Sequence, residues 1–222
     1  MELQLFETED GSHSIFVPAL NERYHSFHGA IAEAKHVYIQ NGLDYFEDEK
    51  QLKILEIGFG TGLNAYLTLL NSKSKNQEIH YTSLEPFPLE EKIYTQLNYP
   101  EILVKTDAEK LFFQILHSSE WNNPQKITTG FTLLKLNKSV MDFETSEKFN
   151  LIYFDAFAPE IQPEMWTKEV FEKLFLYMTP SAALLTYCAK GSVKRTLKEV
   201  GFNVENLSGP AGKREMTRSY KP

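Results

Sequence analysis

A strand pattern that runs straight into three glycines and then into a helix constrains this chain more than any other feature: Lys53-Ile-Leu-Glu-Ile-Gly-Phe-Gly-Thr-Gly-Leu-Asn64. Gly58, Gly60 and Gly62 allow backbone conformations closed to other residues and let a ligand approach the main chain. The helix that follows offers unpaired N–H groups to an anionic group. A strand, a glycine turn and a helix in this order predict an α/β chain that binds a nucleotide-like ligand at the rim of its sheet.

The spacing narrows the ligand. A dinucleotide turn reads G-x-G-x-x-G and sets a pyrophosphate on the helix terminus. Here position 63 is Leu and the third glycine comes one residue early. Glu56, just before the turn, would repel a pyrophosphate but suits a ligand carrying an ammonium group. S-adenosylmethionine meets both conditions with its amino-acid end at the turn, which makes Glu56, Gly58, Gly60 and Gly62 candidate cofactor-binding residues.

The 222 residues suit one α/β domain, over 46–222, with an N-terminal extension and helix over 1–45 packed on it. No run of about 18 apolar residues is present, so no membrane span is expected. The acidic start (Glu2, Glu7, Glu9, Asp10) lacks the character of a signal peptide, and a cytoplasmic location is expected. The single Cys188 excludes an internal disulfide and a cysteine cluster for zinc; buried filler is its expected role. The net charge of −7 is unevenly spread. From Lys190 onward eight basic residues face three acidic ones, a surplus of five, which leaves −12 on the rest. That asymmetry fits either a basic face for phosphates or a solvated charged helix.

Two short alternating runs, 3–6 and 14–17, predict a hairpin, and 28–40 predicts a helix stopped by Gly42. Strands are expected at 53–57, 80–84, 128–136, 151–154 and 182–187. Helices are expected from Leu63 to about Asn71, from Pro88, from the capping box at Thr106 to His117, from near Pro163, and over 190–200. Residues 119–126 read as a loop, and 202–207 with 215–220 as an antiparallel pair. Alternation of strands and helices implies a mostly parallel, doubly wound sheet with right-handed crossovers.

In such sheets ligands lie at the carboxyl ends of the strands near the switch in strand order, so those ends carry the candidate chemistry. Glu85, twenty-seven residues after Gly58, can accept hydrogen bonds from both ribose hydroxyls of an adenosine; the bland reading is a surface acid. Ser139 is the polar candidate beside an adenine edge. Asp155 ends a wholly apolar strand and is either a structural cap or a group aimed at the reacting centre. Methyl transfer from a sulfonium needs a neutral nucleophile, and Asp155 could hold an amine, direct its lone pair and receive its proton. His25 and His28 lie three apart, but no carboxylate or cysteine set completes a metal site, so no metal is expected.

Four stretches together resemble one family: Glu-Ile-Gly-Phe-Gly-Thr-Gly-Leu-Asn (56–64), Ser-Leu-Glu-Pro-Phe-Pro-Leu (83–89), Phe-Asp-Ala-Phe-Ala-Pro-Glu-Ile-Gln-Pro-Glu-Met-Trp (154–166) and Gly-Pro-Ala-Gly-Lys-Arg-Glu-Met (209–216). They are similar to the MnmD family of tRNA 5-methylaminomethyl-2-thiouridine methyltransferases, found alone or as the N-terminal half of the bifunctional MnmC protein. Residues 24–33 resemble the family's N-terminal segment. The resemblance implies a Rossmann-like class I methyltransferase fold with a C-terminal antiparallel strand pair and S-adenosylmethionine as donor. The acceptor it implies is the amine of a 5-aminomethyl group on the wobble uridine of tRNA. By motif position Gly58, Gly60, Gly62 and Asn64 contact the methionine end, Glu85 the ribose and Asp155 the amine, and Phe157 is a candidate substrate contact. Lys138-Ser139 stands where relatives often carry Gly-Asp. Without a flavin-binding module before Pro222, the chain is expected to methylate only. Lys213 and Arg214 are expected to meet tRNA phosphates, with Lys190, Lys194 and Arg195 extending the patch.

Two rivals remain. A spermidine-synthase-like aminopropyltransferase shares the glycine turn, the ribose acid and an Asp facing an amine, but would want acidic polyamine-binding residues. A catalytically silent tRNA-binding module would keep the fold without needing Glu85 and Asp155.

Overall fold

The computed structural model describes residues 2–222; Met1, the first residue of the expected extension, lies outside the described residues. The chain opens with strands β1 (Gln4–Glu7), β2 (His13–Val17) and β3 (Glu22–Arg23), an antiparallel three-stranded sheet that realises the expected hairpin. Helix α1 (Ala30–Ala34) then runs into a π-helical stretch, Lys35–Gln40. The expected helix over 28–40 therefore starts two residues later, because Gly29 takes φ +140° and cannot join it. Gly42 does end it: a Cβ there would collide with the Tyr38 carbonyl.

The main unit runs β4 (Gln51–Ile57), α2 (Leu63–Lys75), β5 (Glu78–Leu84), α3 (Glu91–Tyr94), α4 (Tyr99–Leu103), α5 (Asp107–Ser118), β6 (Gln125–Thr128) and β7 (Phe131–Leu136). It continues with β8 (Phe149–Phe154), α6 (Lys168–Leu176), β9 (Met178–Thr186), α7 (Gly191–Val200), β10 (Asn203–Ser208) and β11 (Glu215–Tyr220). Three expectations need correction. Pro88 does not open a helix: residues 86–90 form a bend and an irregular stretch, Pro88 disfavours helix at Phe87 before it, and α3 begins only at Glu91. The expected strand over 128–136 is a hairpin: β6, placed partly in the expected loop, turns at Thr129-Gly130 into β7. Strand β9 begins four residues early, at Met178, its register against β8 shifting near Ser181, which takes φ +62°.

The eight strands lie in the order β10-β11-β9-β8-β4-β5-β7-β6. The five central ones are parallel and the three outer ones antiparallel to their neighbours. Both faces are covered, so these strands bury both alternating sets of side chains. Leu52, Ile54, Tyr81, Leu133, Tyr153 and Leu185 pack with Tyr38, Tyr66 of α2 and Phe113 of α5. Leu55, Leu84, Ile152, Phe154 and Leu184 pack with Phe171 and Leu174 of α6 and Val193 and Leu197 of α7. Each such side chain removed from water contributes about 1.5–3 kcal/mol.

Chain order reverses between β4 and β8. From β4 the chain moves outward through β5 to β7, then returns to β8 on the other side of β4. The rim above these two strands is the switch point, where a crevice opens in sheets of this kind.

Candidate active site

A cavity of about 690 Å³ opens at that rim. Gly58 and Gly60 after β4, Asn64 of α2, Glu85 after β5, Ser139 after β7 and Asp155 after β8 all line it. Residues 22–27 form part of its wall, where Tyr24 packs edge-on to Phe157 with centroids 5.2 Å apart.

The glycine turn is shaped by its neighbours. Gly58 donates to the Leu84 carbonyl at 2.9 Å, and a Cβ on it would lie 2.8 Å from the Asp155 carbonyl oxygen. The switch point can close this tightly only around a residue without a side chain. Gly60, at φ +48°, donates its N–H to Glu85 Oε2 at 3.0 Å, while the Phe87 N–H donates to Oε1 at 2.8 Å. Burial raises the Glu85 pKa above the usual carboxylate value, and these two N–H groups oppose the rise. Turn and carboxylate fit the expected donor: bare backbone lies beside an acid that keeps acceptor capacity for hydroxyls.

Asp155 lies across from them. Its N–H donates to the Ile57 carbonyl at 3.0 Å, and its Oδ2 accepts from Asn64 Nδ2 at 2.9 Å. Burial pushes its pKa up to about 6; the Tyr38 hydroxyl and the Asn64 amide oppose this without cancelling it. Tyr24, Phe157, Met165 and Tyr187 supply apolar surface around it. A carboxylate of raised basicity, aimed by an amide and set among aromatic rings, can bind an amine and take a proton from it.

Gly58, Gly60, Asn64, Glu85, Ser139, Asp155, Phe157 and Lys213 thus share one cavity. The Ser139 hydroxyl is engaged in its own turn, donating to Asp142 Oδ2 at 2.7 Å. Glu56 is outside: it is fully buried, shares the alternation of Leu52 and Ile54, and so points beneath the turn, where its Oε2 accepts from Ser83 Oγ at 2.6 Å. Gly62 also does not line the cavity; a Cβ on it would lie 2.7 Å from His117 Nε2, so a glycine there makes room for that ring.

The expected basic patch is largely consumed by ion pairs. Lys213 Nζ lies 2.5 Å from Glu33 and 4.0 Å from the centre of the Tyr187 ring, turned into the cavity instead of out toward phosphates. The nearly buried Glu33 carboxylate requires a partner, and Lys213 supplies it. Lys190 pairs with Glu160, and Lys194 with Glu215 at 2.8 Å. Arg214 and Arg195 are exposed. The histidines have local partners: His25 meets Ser14 Oγ at 3.1 Å, with burial lowering its pKa to about 4, and His28 meets Glu9 at 2.7 Å.

Sequence reasoning missed His117. Its Nε2 lies 3.0 Å from the Thr61 carbonyl, and burial lowers its pKa to about 3, so the ring is neutral and donates there. Lys135 Nζ in turn reaches the His117 carbonyl at 2.5 Å. No spacing in the chain announces either contact, because one joins a helix to a turn 56 residues earlier and the other joins strand β7 to the last turn of that helix.

Residues 107–222 match a family model described as S-adenosyl-L-methionine-dependent methyltransferase. The chain is 32% identical over 219 residues to a tRNA 5-methylaminomethyl-2-thiouridine biosynthesis bifunctional protein MnmC from Cupriavidus necator, covering 93% of this chain and 33% of that protein. It therefore spans about a third of the length of the curated relatives it matches. Among solved structures, MNMC2 from Aquifex aeolicus superposes with a TM-score of 0.82 at 22% identity, covering 100% of this chain and 71% of that one. Spermidine synthase from Thermotoga maritima superposes with a TM-score of 0.61 at 13% identity, covering 99% and 69%. At these identities the two structures show a shared fold and nothing further.

Proposed function

This chain belongs to a family of S-adenosyl-L-methionine-dependent methyltransferases, and from that premise we propose that it methylates the amine of a 5-aminomethyl-(2-thio)uridine at the wobble position of tRNA. The observation that carries the reading is the Asp155 carboxylate, held by Asn64 and facing the same cavity as Glu85. When bound, the donor supplies a methyl group on a sulfonium, open to in-line attack by a neutral nitrogen. Gly58, Gly60 and Asn64 would hold its methionine end and Glu85 its ribose. Asp155 accepts hydrogen bonds from the acceptor amine, orients its lone pair, and takes the proton that an ammonium form must lose before it can react. The rings of Tyr24, Phe157 and Tyr187 exclude water from the amine, which favours its neutral form and opposes the carboxylate's pull toward ammonium.

The tRNA acceptor is supported by the similarity to MnmC proteins of tRNA 5-methylaminomethyl-2-thiouridine biosynthesis and by the aromatic wall that a flipped base could stack on. A cytoplasmic location would follow from that acceptor. We also read residues 1–45 as an extension serving the main unit, supported by the packing of Ile15, Ile31 and Tyr38 into the same core. Incubating the protein with radiolabelled donor and tRNA lacking this modification step, followed by nucleoside digestion, tests the proposal. Label in 5-methylaminomethyl-(2-thio)uridine is expected; a donor-binding protein that leaves this nucleoside unlabelled would refute it.

A further inference from the structure

The N-terminal sheet has one face on the core and one face open. Leu5, Ile15 and Val17 point to the core. Alternation sends Phe6, Phe16 and Arg23 to the other face, and the strand register sets Phe16 directly across from Arg23. The open face of an antiparallel sheet ordinarily carries polar side chains. Here it carries two phenylalanines and an arginine.

The segment after β3 extends this surface. The Phe27 ring lies beside Phe6, with centroids 6.4 Å apart and planes within 12°, and it stays 48% exposed. The Arg23 guanidinium stands 5.6 Å from the Phe6 centroid and 5.8 Å from that of Phe16, and it makes no ion pair among the described residues. Acids close in sequence do not neutralise it. Glu7 and Glu22 alternate to the opposite face, and Glu9 is engaged by His28 at 2.7 Å. Three contacts hold the segment in place: the Glu9 N–H donates to the Phe27 carbonyl at 2.9 Å, the Ser26 N–H donates to Glu33 Oε2 at 2.8 Å, and His25 meets Ser14 Oγ at 3.1 Å. Arg23 and Phe27 both line the cavity, so this ledge of rings and one free cation runs up to its mouth.

We propose that the ledge binds the single-stranded nucleotides next to the base that enters the cavity, with Phe27 and Phe6 stacking on bases and Arg23 meeting a phosphate. The proposal rests on the reading of the acceptor as a base in tRNA. Such a base is joined to nucleotides that must leave through the mouth, and the ledge is a surface they meet there. Aromatic rings on an open sheet, accompanied by a cation, suit unpaired RNA, because every base has a π-face to stack and a phosphate beside it. Stacking of this kind tolerates any flanking sequence.

Fluorescence anisotropy with a labelled anticodon stem-loop RNA tests the ledge without any methyl transfer. Phe27→Ala should weaken binding about fivefold to a hundredfold and leave its salt dependence unchanged, since a stacked base and no charge is lost. Phe27→Trp, which keeps a ring in place, should bind at least as tightly as the native chain. Arg23→Gln should flatten the logarithmic salt slope by about 0.7, the share of one phosphate on a single strand. Donor affinity by calorimetry should stay within about twofold in all three. A native chain that does not bind this RNA would overturn the proposal, as would a folded Phe27→Ala whose RNA affinity stays within about twofold of native. Should Phe27→Ala fail to fold, an unchanged salt slope in Arg23→Gln overturns it equally. RNA affinity lost in Phe27→Ala, from a native chain that binds this RNA yet methylates no tRNA, would uphold the ledge and refute the proposed reaction instead.

Discussion

The Gly60 amide donates to Glu85 Oε2 at 3.0 Å, joining the turn after β4 to the acid after β5. One carboxylate thus shapes the donor turn and presents acceptors to the cavity. Glu85→Gln keeps the shape but sets an NH2 group against one of two fixed N–H donors. A charge-assisted bond of about 1.5–3 kcal/mol is at stake, so donor affinity should fall roughly tenfold to a hundredfold. Glu85→Ala, which also releases the turn, should bind more weakly still. Calorimetry with the donor or its demethylated product measures both, and an affinity within about twofold of the native value in Glu85→Ala would remove Glu85 from the site.

Asp155 must be ionised to take a proton, and burial sets its pKa at about 6. Below that pH kcat/KM should fall about tenfold per pH unit as the base is protonated. Asp155→Asn should lose at least about a hundredfold in kcat, lack this acid limb, and bind the donor normally. Its stability carries an independent sign. The raised folded pKa means that Asp155 contributes stability present below its unfolded value of 3.8 and lost as pH rises through about 6. At pH 7 Asp155→Asn should therefore unfold at a higher temperature than the native protein, and a lower unfolding temperature there would contradict the burial argument.

What could be read from the chain was what local spacing encodes. The strand-glycine-helix run, the Thr106 capping box with Thr106 accepting from the Glu109 N–H, and the acids Glu85 and Asp155 at strand ends all depend on neighbours close in sequence or on strand alternation. What local spacing does not encode is set by distant contacts. The place of Glu56 beside the turn points to the cavity, whereas its alternation with Leu52 and Ile54 directs its side chain under α2. Local charge points Lys213 to phosphates, whereas its partner in the fold, Glu33, lies 180 residues away. Charge counted along a segment cannot reveal an acid brought in by another element. Pro88 satisfies a local rule for helix starts, yet the chain stays out of helix until Glu91.

Gly62 and His117 should show coupled energetics. Gly62→Ala meets two penalties: its φ of +72° disfavours a side chain, and its Cβ would lie 2.7 Å from His117 Nε2. The backbone penalty alone is about 1–2 kcal/mol. His117→Ala removes the collision but also the bond to the Thr61 carbonyl and the stack on Tyr94, whose centroid lies 4.2 Å away. In urea unfolding each single variant should be destabilised, and the double variant should be less so than their sum by about 0.5–3 kcal/mol. Strict additivity would mean that the ring does not press on the turn.

Lys213 and Arg214, adjacent in one loop, should separate in their response to salt. Each cation that neutralises a phosphate steepens the dependence of tRNA affinity on salt by about one unit in the logarithmic slope, or somewhat less for a single strand. Lys213 is paired with Glu33 at 2.5 Å over the Tyr187 ring, whereas Arg214 is exposed at the surface. Arg214→Gln should therefore flatten the slope while leaving kcat on bound tRNA nearly unchanged. Lys213→Gln should leave the slope as it is, because an internally paired cation releases no counterion. It should instead lower kcat, since the uncompensated Glu33 adds negative charge beside Asp155 and holds an incoming amine in its unreactive ammonium form. A flattened slope with unchanged kcat in Lys213→Gln would return that residue to the phosphate-binding surface and take it out of the cavity's chemistry.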